Sequence, residues 1–331
     1  MGPKSNFIPA GRPNNRTVEF LAHHLPQVLN AAIATLVFAL GLNALPADAA
    51  FLWHRPGLLL RSLIAIDVVV PLAAVVLVLA MRPGVTTAIG VLAMAISPGA
   101  PFAPAKELKL GGRLPYVYSL LMTVALLAVV TIPLSLQALG WFFASDRELW
   151  VAPRHIAQIA VLMLVLPLLA GMLVRKLSPG LAGRLARPLS LAANILVLLI
   201  VVPLLIKAFP VVLALDGLVF GLIALLTLVT LAGGHLLGGP LAEDRTALAV
   251  ASSVRHPGLA MLICKAQFPD EPAVAVVLAY VLVAIVASIP YTIWRKRHRA
   301  AAAGALATGP ARDPSEPEGG TVTRIVASPP E

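Results

Sequence analysis

Ser97-Pro98-Gly99-Ala100-Pro101-Phe102-Ala103-Pro104 cuts through the middle of a long apolar run. Pro98, Pro101 and Pro104 recur at every third position, and each removes a backbone donor and clashes with the preceding turn. No helix continues through such a segment, so the spacing predicts an extended stretch with a short half-helix on either side. Gly111-Gly112 is placed to close the second half-helix. A matching break, Val254-Arg255-His256-Pro257-Gly258, interrupts an apolar run in the other half of the chain. A bilayer tolerates broken helices only where the freed backbone groups are buried in protein or face a watery cavity.

That the surroundings are a bilayer follows from composition. Of the 331 residues, 59% are hydrophobic and only 12% charged, and the mean hydropathy is +0.91. Soluble domains are about 25% charged, so the chain reads as an all-α polytopic membrane protein. The net charge of +10 is not a nucleic-acid signal, because the basic residues lie in short loops and the tail, where positive-inside charge belongs. The single cysteine, Cys264, excludes an internal disulfide and a cysteine metal cluster. Residues 1–25 read as a polar N-terminal arm without the apolar core of a cleavable signal.

A crossing needs roughly 20 apolar residues. About nine stretches qualify: 26–45, 57–81, 84–110, 114–140, 154–177, 188–208, 211–237, 243–267 and 272–294. The transmembrane domain is thus 26–294, with halves of about 26–140 and 154–294, and 295–331 is a basic, then disordered, tail. The broken spans are the third and eighth, each penultimate in its half. This is the pattern of an inverted-repeat transporter that has lost its first helix, and interrupted spans at corresponding positions point to a transporter's binding site. Arg55, the Lys106/Lys109/Arg113 group, the Arg175/Lys176/Arg184/Arg187 group, Arg245 and Arg295-Lys296-Arg297-His298-Arg299 gather on one side. The bias predicts that side, and the C-terminus, to be cytoplasmic.

The candidate site is built around the breaks. Ser97, Pro98 and Gly99 form the first, and Pro257 and Gly258 close the second. Arg255 and His256 lie near mid-depth, where an ionisable residue is expensive and faces a cavity or a partner. Asp67, about 15 Å into the second span at 1.5 Å per residue, is a candidate proton carrier or counter-ion for Arg255. Asn194, Ser252 and Ser253 are candidate polar lining. Lys106, Glu107 and Lys109 read as charges of the loop and half-helix end. There is no zinc-binding helix, phosphate-cradling loop or nucleophile elbow, so no catalytic residue, metal ligand or cofactor is expected.

The run 97–101, then Gly111-Gly112, Gly234-His235-Leu236-Leu237-Gly238 and Arg245-Thr246 leading to Arg255-His256-Pro257-Gly258-Leu259-Ala260, resembles the bile acid:sodium symporter family. So does Leu36-Val37-Phe38-Ala39-Leu40-Gly41-Leu42 leading into Arg55-Pro56 and Val70-Pro71-Leu72. The resemblance covers about 26–294 and is to a divergent, bacterial-type member, which implies an inner (cytoplasmic) membrane. It also implies discontinuous helices crossing at the midplane, a core domain, a panel domain and alternating access. Where the family carries side-chain sodium ligands, this chain reads Ala103 and Pro104, Val117 and Leu121, and Ala251; the family's Gln-Asn pair reads Arg255-His256.

The expected function is therefore secondary active transport of a small organic anion, with the lipid bilayer as a further partner and the side-chain sodium ligands largely lost. Arg255 then reads as a tethered cation in place of bound sodium, with proton coupling through Asp67 or, more naturally, His256, since a free imidazole titrates near about pH 6.5. Two alternatives stand: a sodium symporter that uses backbone ligands, and, in another class, an integral-membrane enzyme centred on Arg255, His256 and Asp67.

Overall fold

Proline and glycine punctuate the chain where the sequence places them. The computed structural model describes residues 15–44, 48, 50–143, 158, 160–268 and 273–307. Helix α1 (Asn15–Asn43) is followed by α2 (Pro56–Met81), whose middle turn, Ile64–Val69, is π-helical. Next come α3 (Val85–Ile96), α4 (Ala103–Lys109) and α5 (Leu114–Phe143). A second π turn, Val161–Val165, runs into α6 (Leu166–Leu177), and α7 spans Pro179–Leu213. Helices α8 (Gly217–Leu237), α9 (Ala242–Ser253), α10 (Pro257–Gln267), α11 (Val274–Ala287) and α12 (Ile289–Ala307) complete the order.

Proline stands in the first turn of α2, α4, α7 and α10, where its missing N–H costs nothing, while Pro167 follows the π turn that continues into α6. Pro104 therefore opens a helix, and the unwound stretch ends at Phe102 rather than running through 104. Gly111, at φ +93°, closes α4 as expected. Helix α1 begins at Asn15, within the stretch read as a polar arm, and α12 continues to Ala307 into the stretch read as a disordered tail. Residues 1–14 and 308–331 lie outside the described residues, as does the 144–157 connection.

Among the described residues, five helices are long and apolar enough to cross a membrane: Pro56–Met81, Leu114–Trp141, Pro179–Lys207, Gly217–Leu237 and Val274–Ala302. Asn30–Asn43 and Val85–Ile96 are shorter apolar helices. Large apolar side chains such as Leu72, Leu79, Leu199 and Ile206 point outward, as expected of faces that meet lipid tails.

Two packing groups emerge. Helix α1 packs on α6 and α7; α8 packs on α2, α9 and α11, while α3 packs on α10 and α11 and α4 packs on α5 and α9. In the first group, backbone meets backbone: a Cβ on Gly41 would lie 2.4 Å from the Leu168 carbonyl oxygen, and one on Gly171 2.3 Å from that of Phe38. Small residues that let helices touch are the main cohesive device where lipid removes the hydrophobic drive. At one end of the molecule the basic residues converge. Arg113 pairs with Asp244, Lys106 donates to Ser288 Oγ at 2.8 Å, and Arg295 donates to the Ala242 carbonyl. The Arg55 and Arg113 guanidinium groups lie 4.1 and 4.7 Å from the Phe51 ring centre.

Candidate functional site

The two breaks meet. Gly99 and Arg255 form an antiparallel pair, with Ala100 N donating to the Val254 carbonyl at 3.2 Å and His256 N to the Pro98 carbonyl at 3.0 Å. Each unwound segment thus satisfies the other's backbone, which is what unwound chain within a bilayer requires. The C-terminal ends of α3 and α9 run into this crossing, and α4 and α10 leave it. A helix C-terminus carries roughly half a negative charge on its unpaired carbonyls, and a helix N-terminus the opposite, so the ends of α3 and α9 favour a cation on their side of the crossing.

Arg255 supplies one. Its side chain is 3% exposed. Nη1 donates to the Ser97 carbonyl at 3.1 Å, at the C-terminal end of α3, and Nη2 to the Ile66 carbonyl at 2.8 Å. The second acceptor has a local cause: Ile66 sits in the π-helical turn of α2, and a π bulge rearranges the main-chain ladder and turns carbonyls toward neighbours. Asp67, the next residue, is near enough to interact with Thr131 and to attract the guanidinium. Its second oxygen, Oδ2, is buried without a hydrogen bond. The Tyr280 side chain of α11 is also within electrostatic reach of Arg255.

His256, 4% exposed, serves α10. Its Nδ1 accepts from Leu259 N at 3.2 Å, capping the first turn. The ring can fold back because Gly258 has no side chain; a Cβ there would lie 2.8 Å from Ile33 and 3.3 Å from the imidazole. Pro257 occupies the first turn of the same helix.

Pro98 and Gly99 also line a cavity between the two packing groups, with Val37 and Leu40 of α1, Pro101, Leu121 and Ala125 of α5, Leu164 and Leu168. Its volume is about 10 Å³, barely room for one water. Arg255 does not line it; the guanidinium turns instead to α2 and the end of α3.

Ser97, Pro98, Gly99, Arg255, His256, Pro257 and Gly258 therefore come together, with Asp67 beside them. Ser252 and Ser253 are buried just before the crossing; Ser253 Oγ bonds to the Val250 carbonyl within its own helix, and Ser252 Oγ faces Gly234 of α8. Asn194 is not brought there: it is exposed on α7, with Nδ2 bonded to the Ser190 carbonyl one turn back. Glu107, read as a loop charge, is instead 3% exposed on the inner face of α4.

Sequence reasoning missed the Ile66 carbonyl, Thr131 and Tyr280. No side-chain pattern announces a π turn, although a lone tyrosine in the apolar span 274–287 was a visible signal. The family model described as Sodium Bile acid symporter family matches residues 31–214, more than half of the chain. No curated protein matches it.

Proposed function

The chain belongs to the sodium bile acid symporter family, and from that premise we propose that it is a secondary active transporter of an organic anion, built as a nine-helix inverted repeat, in which Arg255 stands as a tethered cation where relatives hold sodium. The observation that carries this reading is the guanidinium of Arg255 seated on the Ser97 carbonyl at the C-terminal end of α3 and on the Ile66 carbonyl in the π turn of α2. Sodium sites at broken helices are made of unwound carbonyls and half-helix ends. Here the Ser97 carbonyl already takes the Arg255 guanidinium, and Ala103, Pro104 and Ala251 bring no side-chain oxygen. The donor set does not fit a sodium ion.

Movement follows from the division of the packing. The group of α1, α6 and α7 meets the crossing across the small apolar cavity, so alternating access is a change in that contact that opens the cavity to one side and then the other. An organic anion would lay its hydrophobic body on Val37, Leu40, Leu121 and Leu168. The convergent basic end is the cytoplasmic one in this reading, by the positive-inside bias, and the membrane is the bacterial inner membrane.

The test is thermal stability of the detergent-purified protein in sodium chloride against choline chloride at equal ionic strength, for wild type and Arg255→Gln. Ligand binding to the native state raises the apparent Tm by mass action. The expected outcome is no sodium-specific rise in wild type and a saturable one in Arg255→Gln, accompanied by loss of sodium-free cholate uptake in proteoliposomes. A saturable sodium-specific rise in wild type would instead mean a sodium symporter with backbone ligands, and full sodium-free uptake by Arg255→Gln would refute the tethered-cation role.

A further inference from the structure

Helix α4 leaves the crossing with its inner face formed by Ala103 and Glu107, which are 2% and 3% exposed. They are four residues apart and so share one face. The Glu107 carboxyl is buried with that face. Its Oε2 is buried and makes no hydrogen bond.

The cations around it are engaged elsewhere. Lys106 Nζ donates to Ser288 Oγ, Lys109 is exposed, and Arg113 of α5 is held by Asp244 of α9. Tyr116 of α5 is within electrostatic reach of Glu107, and its hydroxyl bonds Ser62 at 2.8 Å. From α9, Arg245 donates to the Gly239 carbonyl; from α12, Arg295 donates to the Ala242 carbonyl and Arg299 lies against Gly111. None of these cations forms an ion pair with Glu107.

An isolated carboxylate in such a place costs far more than a neutral acid. We infer that Glu107 is a proton-binding site: it holds a proton while α4 lies against α5 and α9, and releases it when that contact loosens and water reaches the inner face from the basic end. This deepens the proposed function by naming the group that would carry a coupled proton. It also separates Glu107 from the other two ionisable residues, because Asp67 has the Arg255 charge beside it and His256 is committed to a backbone N–H.

The proton can be read without any substrate. Infrared difference spectra of purified wild type minus Glu107→Gln at neutral pH are expected to contain the stretch of a protonated carboxyl, absent from the variant and moved in wild type carrying carboxyl-¹³C glutamate. Identical carboxyl bands in the two proteins, or no isotope shift, would overturn the inference. If Glu107→Gln fails to fold, Glu107→Asp takes its place: it keeps a carboxyl at the site, and the protonated stretch is then expected to stop moving with carboxyl-¹³C glutamate. In proteoliposomes, acceleration of cholate uptake by an imposed pH gradient is expected in wild type and lost in Glu107→Gln. A protein that carries the protonated band but moves no cholate keeps the proton site and rejects the transport reading.

Discussion

Arg255 and His256 are neighbours in the chain yet attend to opposite ends of helices. The arginine neutralises carbonyls where α3 arrives, and the histidine caps N–H groups where α10 departs. This makes His256 a cap first, since protonating Nδ1 would remove the acceptor and place a positive charge at a helix N-terminus. His256→Ala is expected to cost about 1 kcal/mol, the usual loss for a cap, read as a lower melting temperature. His256→Asn should recover most of that, because Asn caps well, and should leave the pH profile of cholate uptake as in wild type. A profile flattened by His256→Asn would move the proton from Glu107 to the imidazole. The sequence pointed to both residues because ionisable groups inside a span are rare. It misjudged Glu107 because the flanking lysines made a buried acid look like part of a wet, charged turn.

The elements that position the site depend on two local devices. One is the π turn of α2, which presents the Ile66 carbonyl to Arg255 without breaking the helix. The other is the Gly41–Gly171 contact, which draws α1 onto α6 and so sets one wall of the cavity. Gly41→Ala and Gly171→Ala each put a methyl onto main chain that cannot yield as a side-chain tip would. Each is expected to destabilise by about 1–3 kcal/mol, the range for overpacking, and to weaken the α1–α6 contact. Gly221→Ala is the control: it lies inside α8 with nothing within 4 Å of the added Cβ. It should be neutral or stabilising by about 0.5–1 kcal/mol, since alanine favours a helix over glycine. Thermal melts of the three variants in one detergent compare them directly; equal melting temperatures would mean that the close contact contributes little.

At the scale of the whole molecule, the small apolar cavity marks a closed arrangement, and transport requires the α1–α6–α7 group to part from the crossing. Leu121 lines that cavity, and Cys264 is buried, so a Leu121→Cys, Cys264→Ala protein carries one reporter thiol. In membrane vesicles it is expected to react slowly with an impermeant thiol reagent and faster when cholate is cycling, and a rate unmoved by cholate would speak against opening at this cavity. Composition alone determined that the chain lives in a bilayer, because so few charges and so many apolar residues leave no soluble alternative. Three prolines at every third position determined the first break by themselves, whereas single prolines such as Pro133, Pro188, Pro203 and Pro210 stand inside continuous helices, so Pro257 alone did not determine the second. Tertiary structure decided the rest: that the breaks pair with each other, that Arg255 turns to carbonyls of α2 and α3, that Asn194 stays exposed and that Glu107 is buried. Those outcomes depend on which helix faces which. A hydrophobic pattern cannot encode that inside lipid, where every face of a span is apolar and only the close packing of small residues and the pairing of freed polar groups choose the neighbour.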